Sequence, residues 1–132
     1  MTPDSSVLVA AFAEWHGKHE SALKATADID DLVTHAELET YSVLTRMPAP
    51  FRIDAHIVSE WLQRSFPGRR LEPAGDTRKK LTTVLAEQSL VGGAVYDALV
   101  AVAARDNSQA LISYDRRAAA TYARLGVAFE LI

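Results

Sequence analysis

The sequence predicts an α/β fold, a three-layer α/β/α sandwich with a mainly parallel sheet. Short apolar runs of strand length alternate with amphipathic stretches at helical spacing. Turn residues separate them at Pro48 and Pro50, Pro67-Gly68, Pro73 to Gly75 and Gly92-Gly93. Parallel strands need crossovers, normally helical and right-handed, so this alternation puts helices over a parallel sheet. A length of 132 residues suits a single domain over residues 1–132 with one core.

The elements follow in order. Ser5 or Ser6 can cap a helix through Val7, Leu8, Ala11 and Phe12, and a second helix is expected from Lys18 to Ala27. Asp31 to Thr34 reads as a short strand. Leu38, Tyr41, Leu44 and Thr45 recur at helical spacing until Pro48 ends the pattern. Ile57, Trp61, Leu62 and Ser65, with Ile53 ahead of them, give the next helix, and Leu81, Val84, Leu85 and Gln88 another. Gly92-Gly93 opens a helix from Val95 to Arg105. Ala110 to Ser113 reads as a buried strand, Asp115 to Arg124 as a helix and Val127 to Ile132 as a final strand.

Composition narrows the chemistry. The chain is 48% hydrophobic and 23% charged, as a folded globular protein is. It has no cysteine, which excludes disulfides, thiolate metal sites and a cysteine nucleophile. Any metal must bind through oxygen or imidazole. The apolar stretch Ala94 to Ala104 is interrupted by Asp97 and too short to span a bilayer. No basic region precedes the first apolar run, so no signal peptide is expected and a cytoplasmic location is. Net charge is -3, yet Arg64, Arg69, Arg70, Arg78, Lys79 and Lys80 face only Glu72 and Asp76 between residues 64 and 80. That stretch is locally +4 and the remainder -7. A basic strip beside an acidic site suits a nucleic acid that is bound and cut, although a solvated helix face has the same composition.

Four acids stand at element junctions. Asp4 precedes a helix start, Glu39 lies in the first turns of its helix, Asp97 in the first turns after Gly92-Gly93, and Asp115 directly after a strand. In open α/β sheets ligands gather beyond the carboxyl ends of the strands. Four converging carboxylates repel one another unless a cation sits among them, and an all-oxygen set suits Mg²⁺ or Mn²⁺. Bound metal lowers the pKa of an attacking water and neutralises charge on a phosphodiester, so no nucleophilic side chain is needed. Each acid alone also fits a plainer role: Asp4 and Asp115 as helix caps, Glu39 as a first-turn acid. Asp97 fits one less easily, because it interrupts an apolar helix.

The opening Asp4-Ser-Ser-Val-Leu-Val-Ala10, the stretch His35-Ala-Glu-Leu-Glu-Thr-Tyr-Ser-Val-Leu-Thr-Arg-Met-Pro48, Gly92-Gly-Ala-Val-Tyr-Asp-Ala-Leu-Val100, and Leu111-Ile-Ser-Tyr-Asp-Arg-Arg117 with Leu125-Gly-Val127 come in a telling order. In that order they resemble the PIN-domain toxins of VapBC toxin-antitoxin pairs, over nearly the whole chain. The resemblance implies an endoribonuclease using Mg²⁺ or Mn²⁺, acting on transfer or ribosomal RNA, dimeric, and silenced by a VapB-type antitoxin. It places the catalytic, metal-holding acids on Asp4, Glu39, Asp97 and Asp115. Glu37 competes with Glu39, and Arg46, seven positions on, selects Glu39. Ser6 and Ser113 are supporting hydroxyls that orient a carboxylate or a water on the metal, or else turn residues. One departure is the first strand: only Met1-Thr2-Pro3 precedes Asp4, so that strand is short or imperfect, or the chain is trimmed.

Arg64, Arg69, Arg70, Lys79 and Lys80 are expected to meet RNA phosphates, as is Arg116 beside the last acid. His16, His19 and Glu20 have metal-like spacing but fit a surface loop better. Trp61 with Ile57 and Phe66 belongs to the core, or else to an apolar helix face that receives an antitoxin peptide. A haloacid-dehalogenase-like phosphoryl acceptor is disfavoured, since the pattern needs an Asp where Ser6 stands. A silent PIN-like RNA- or protein-binding module is disfavoured because all four acids are present.

Overall fold

The computed structural model describes residues 1–132. Its elements are β1 (Thr2–Pro3), α1 (Ser5–Phe12), α2 (His19–Thr26), β2 (Leu32–Val33), α3 (Thr34–Arg46) and α4 (Ala55–Ser65). After them come β3 (Arg70–Leu71), α5 (Gly75–Glu87), α6 (Ala94–Asp106), β4 (Leu111–Ser113), α7 (Arg116–Arg124) and β5 (Phe129–Leu131). Every strand pair is parallel: β1 with β4, β4 with β5, and β2 with β3. The expected sandwich is present. Successive residues of β4 feed different apolar clusters, as a two-residue pleat demands. Leu111 joins the main core with Leu8, Leu44, Val100 and Tyr122, and Ile112 joins Val7, Ala10, Ala11 and Ala22.

The hydrogen bonding is broken into a three-stranded and a two-stranded piece, and Pro3 explains the break. The Thr2 and Asp4 N–H groups donate to Ala110 and Ile112 carbonyls at 2.9 and 3.1 Å, toward β4. Alternate amides of a strand point to opposite sides, so the donor that Pro3 lacks is the one that would face β2. There the buried Thr2 hydroxyl bridges instead, donating to the Asp31 carbonyl at 3.0 Å. The first strand, two residues long here, leads directly into Asp4.

Strand β3 was not among the expected strands, since two residues beginning with Arg70 carry no periodic signal. It is fastened from outside. Gly68 donates its N–H to the Asp30 carbonyl, and a Cβ at Gly68 would collide with Asp30 and Asp31. The Arg69 guanidinium grips Asp31 Oδ2 at 2.9 and 3.1 Å.

Three expected helix faces are corrected. In α3 the buried residues are Ala36, Thr40 and Leu44, while Leu38 is 59% exposed and Tyr41 37%. Small side chains let α3 pack closely on α1 and α6, which excludes the bulkier pair. In α4 the core residues are Val58 and Leu62, and Ile57 is exposed. In α5 only Leu85 is buried, and the helix begins at Gly75, so Arg78, Lys79 and Lys80 are helical.

Candidate metal and nuclease site

Asp4, not Ser5 or Ser6, is the N-cap of α1. Its Oδ1 accepts from the Ser6 and Val7 N–H groups at 3.0 and 3.4 Å and from the Ser6 hydroxyl at 2.5 Å. Oδ2 accepts from the Tyr122 phenol at 2.9 Å. The carboxylate is 4% exposed and held at both oxygens. The Ser6 oxygen also accepts the Tyr114 N–H at 2.9 Å, tying the start of α1 to the end of β4. Ser113, fully buried, accepts the Asp115 N–H at 2.9 Å. It steers Asp115 through the backbone, the turn role rather than direct contact with a carboxylate.

Asp115 caps α7, with Oδ1 accepting from the Arg117 and Ala118 N–H groups at 2.9 and 3.3 Å. Both capping acids thus lie at carboxyl ends of adjacent strands and at helix N-termini, where their oxygens accept backbone N–H groups. Glu39 reaches in from α3, its Oε1 accepting the Ser5 hydroxyl at 2.5 Å. Asp97 comes from the first turn of α6. Glu39, Asp97 and Asp115 line one cleft of about 480 Å³ with Arg117 and Thr121.

The electrostatics tie all four together. Burial pushes the Asp97 carboxyl up, and the charges of Asp115, Glu39 and Asp4 push it further, to about 6, with Arg117 pulling the other way. Burial, the charge of Asp4 and the hydrogen bond to it raise the Tyr122 phenol, so it remains a donor. Glu37 is engaged elsewhere: Arg70 holds it at 2.5 and 3.2 Å and Gln63 at 3.1 Å. Of the two competing glutamates, Glu39 is the one in the cluster.

No three acidic or histidine side chains stand in a ready ligating cluster. The residues nevertheless fit an oxygen-preferring divalent cation, because the donor set is all carboxylate and Asp97 already meets three like charges.

The expected basic strip is mostly occupied. Arg64 pairs with Glu60 at 2.5 Å, Arg69 with Asp31 at 2.9 Å, Arg70 with Glu37 at 2.5 Å and Arg78 with Glu72 at 3.9 Å. Lys79 and Lys80 are exposed, and Lys80 lies in a cleft beside Val102 and Arg105 of α6. Arg105 is eight residues beyond Asp97, about 12 Å along the helix. Lys80 therefore lies near the end of α6 remote from Asp97. His16 and His19 serve locally: His16 Nδ1 accepts the Lys18 N–H at 3.1 Å, and the His19 ring meets the Ala10 carbonyl at 2.8 Å. Trp61 is half-buried against the core, edge-on to Phe12 and Phe66.

Sequence reasoning missed Tyr122 and Ser5. A tyrosine on the buried side of a C-terminal helix reads as core, and its partner lies 118 residues away. The Asp4-Ser5-Ser6 run was the available signal for Ser5.

Comparison with known proteins gives the family. The family model described as PIN domain matches residues 1–124. Ribonuclease VapC40 of Mycobacterium tuberculosis is 44% identical over 132 residues, covering all of this chain and 98% of that protein. Ribonuclease VapC27 of the same organism is 38% identical over 125 residues, 94% of this chain and 90% of the relative. An all-parallel sheet, a family model matched over residues 1–124 and relatives aligned nearly end to end lead to one conclusion: the chain belongs to the PIN-domain family.

Proposed function

We propose that this protein is a divalent-metal-dependent endoribonuclease, the toxin of a VapBC-type pair, working at Asp4, Glu39, Asp97 and Asp115. The observation that carries the reading is the cleft in which Glu39, Asp97 and Asp115 stand together, where burial and the charges of Asp115, Glu39 and Asp4 raise the Asp97 carboxyl to about 6. A fold gains nothing in stability from such crowding, whereas a cation-dependent site needs it. Its relatives' description as ribonucleases supports RNA as the substrate.

A divalent cation, Mg²⁺ or Mn²⁺, supplies positive charge that acidifies the attacking water and neutralises charge gathering on the phosphate. The chain's own residues do the positioning. Ser6 and Tyr122 hold Asp4, Ser5 orients Glu39, and Ser113 sets the backbone that aims Asp115. Arg116 and Arg117, beside the last acid, are placed to attract a phosphate; Lys79 and Lys80 are free to touch a longer, structured RNA such as tRNA or rRNA at a distance.

The protein should cleave RNA with added Mg²⁺ or Mn²⁺ and lose that activity in chelator, as gel analysis of cleaved transcripts would show. Cleavage undiminished by chelator would refute the metal mechanism.

A VapB-type antitoxin, a homodimer and a cytoplasmic setting belong to the same reading. No helix is long and apolar enough to cross a membrane. Trp61 is half-buried, and the exposed Leu38, Tyr41 and Ile57 are the apolar side chains most available to a partner on α3 and α4. Expression alone should arrest growth, and co-expression with the neighbouring small gene should relieve it and yield a copurifying complex. Harmless expression with no complex would remove the toxin assignment while leaving the fold intact.

A further inference from the structure

A second cleft, about 590 Å³, adjoins the acidic one and is walled by Ser5, His16, Tyr114, Asp115, Arg116 and Arg117 among others. The two share Asp115 and Arg117, so they meet across the last acid. Their charges are opposite in sense. The acidic cleft sets Glu39, Asp97 and Asp115 against Arg117, while its neighbour sets Arg116 and Arg117 against Asp115 alone.

These two arginines also differ from those of the 64–80 stretch. Arg116 has no carboxylate partner, and Arg117 is 96% exposed with its Nε a loose 4.0 Å from Asp115. A third cation stands nearby, as the Lys18 ammonium lies 4.3 Å from the centre of the Tyr114 ring. His16 Nδ1 accepts a backbone N–H, so in the neutral ring the proton sits on Nε2, leaving a donor. The unpaired Arg116 guanidinium, the loosely held Arg117 and an imidazole donor are groups that bind a sugar-phosphate backbone, and the Ser5 oxygen, its proton given to Glu39, can still accept from a ribose hydroxyl.

We propose that this second cleft is a substrate subsite, holding the phosphate and ribose of the RNA nucleotide next to the scissile bond. The strand crosses from one cleft to the other over Asp115. The acidic cleft repels phosphate until a cation is bound, so its neighbour supplies the attraction that seats the strand. This deepens the ribonuclease reading and rests on it for the identity of the polymer.

The test uses the full chain carrying Asp97→Asn, which removes cleavage without touching the second cleft, and a short fluorescein-labelled oligouridylate in Mg²⁺. Adding Arg116→Ala and Arg117→Ala should weaken binding about tenfold or more. The slope of log affinity against log salt should flatten by about 0.7 for each phosphate that is no longer neutralised. Arg105→Ala, at the far end of α6, should leave that slope alone. In the otherwise unaltered chain, Arg116→Ala should raise KM for RNA more than it lowers kcat. An unchanged salt slope in the double variant would overturn the subsite, as would an equal or larger flattening by Lys79→Ala with Lys80→Ala. The two failures separate cleanly. A wild-type chain that cuts no RNA defeats the nuclease reading, whereas normal cutting with an unchanged slope defeats only the subsite.

Discussion

Asp97→Asn should abolish RNA cleavage and at the same time make the metal-free protein more stable at neutral pH. The side chain keeps its shape and loses one charge. Asp97 binds its proton more tightly folded than unfolded, its carboxyl rising from 3.8 to about 6. Stability from that preference is complete below about pH 4 and is lost as pH rises through 6. At pH 7 the ionised group costs the folded state on the order of 1–2 kcal/mol, after discounting for partial exposure to solvent. Removing the charge should raise the metal-free Tm by about 3–8 °C, and the decline of wild-type stability between pH 4 and 7 should flatten. Loss of outlying partners of a metal site already costs about 10–100-fold in affinity or activity, so loss of a ligating acid should cost more than about 100-fold. The stabilisation gained on adding Mn²⁺ should shrink too, since a ligand raises stability only through the folded state that binds it. Thermal melts of wild type and Asn variants at 97 and 115, with and without Mn²⁺, check all of this. A lower Tm with an intact Mn²⁺ response would make Asp97 an ordinary structural acid.

Tyr122→Phe should act in the opposite direction on stability and the same direction on function. The phenol is 1% exposed and donates to Asp4 Oδ2 at 2.9 Å. Deleting a hydrogen bond to a buried charged group costs about 1.5–3 kcal/mol, so the Tm should fall. Asp4, directly after a two-residue strand, is left without the donor that fixes its second oxygen. Cleavage and Mn²⁺ affinity, the latter by calorimetry on the folded protein, should each fall by about 10–100-fold. A variant that melts earlier but binds Mn²⁺ as the wild type does would reduce Tyr122 to a packing residue.

Much of this was legible in the sequence, for reasons that differ from residue to residue. The strand ending in Ser113 and the helix behind it are local patterns, so Asp115 falls at their junction without reference to the rest of the chain. Asp97 announces itself by interrupting apolar neighbours. Asp4 and Glu39 needed the order of the four motifs, because each alone is a good helix-start acid. What stayed hidden depends on partners remote in the chain. The face of α3 follows from the closeness of α1 and α6, which favours Ala36 and Thr40 over Leu38 and Tyr41. The local +4 charge between residues 64 and 80 is genuine, but Glu37, Asp31 and Glu60 neutralise its arginines from other elements or another turn. Nothing in the spacing of Arg69 and Arg70 records those acids.

The pairing of β1 with β4, and the reach of Tyr122 to Asp4 across 118 residues, carry a consequence for synthesis. Interactions this distant form only after the residues through Tyr122 have been made, and domains fold as units while translation proceeds at about 5–20 residues per second. A nascent chain that has emerged through α6 holds Asp4, Glu39 and Asp97 but lacks the strand and helix that gather them. The ribosome therefore builds a protein aimed at RNA whose cutting edge stays unassembled until α7 leaves the exit tunnel. Fragments ending before that helix should be inert, and the interval before release is when a waiting partner has the least to restrain.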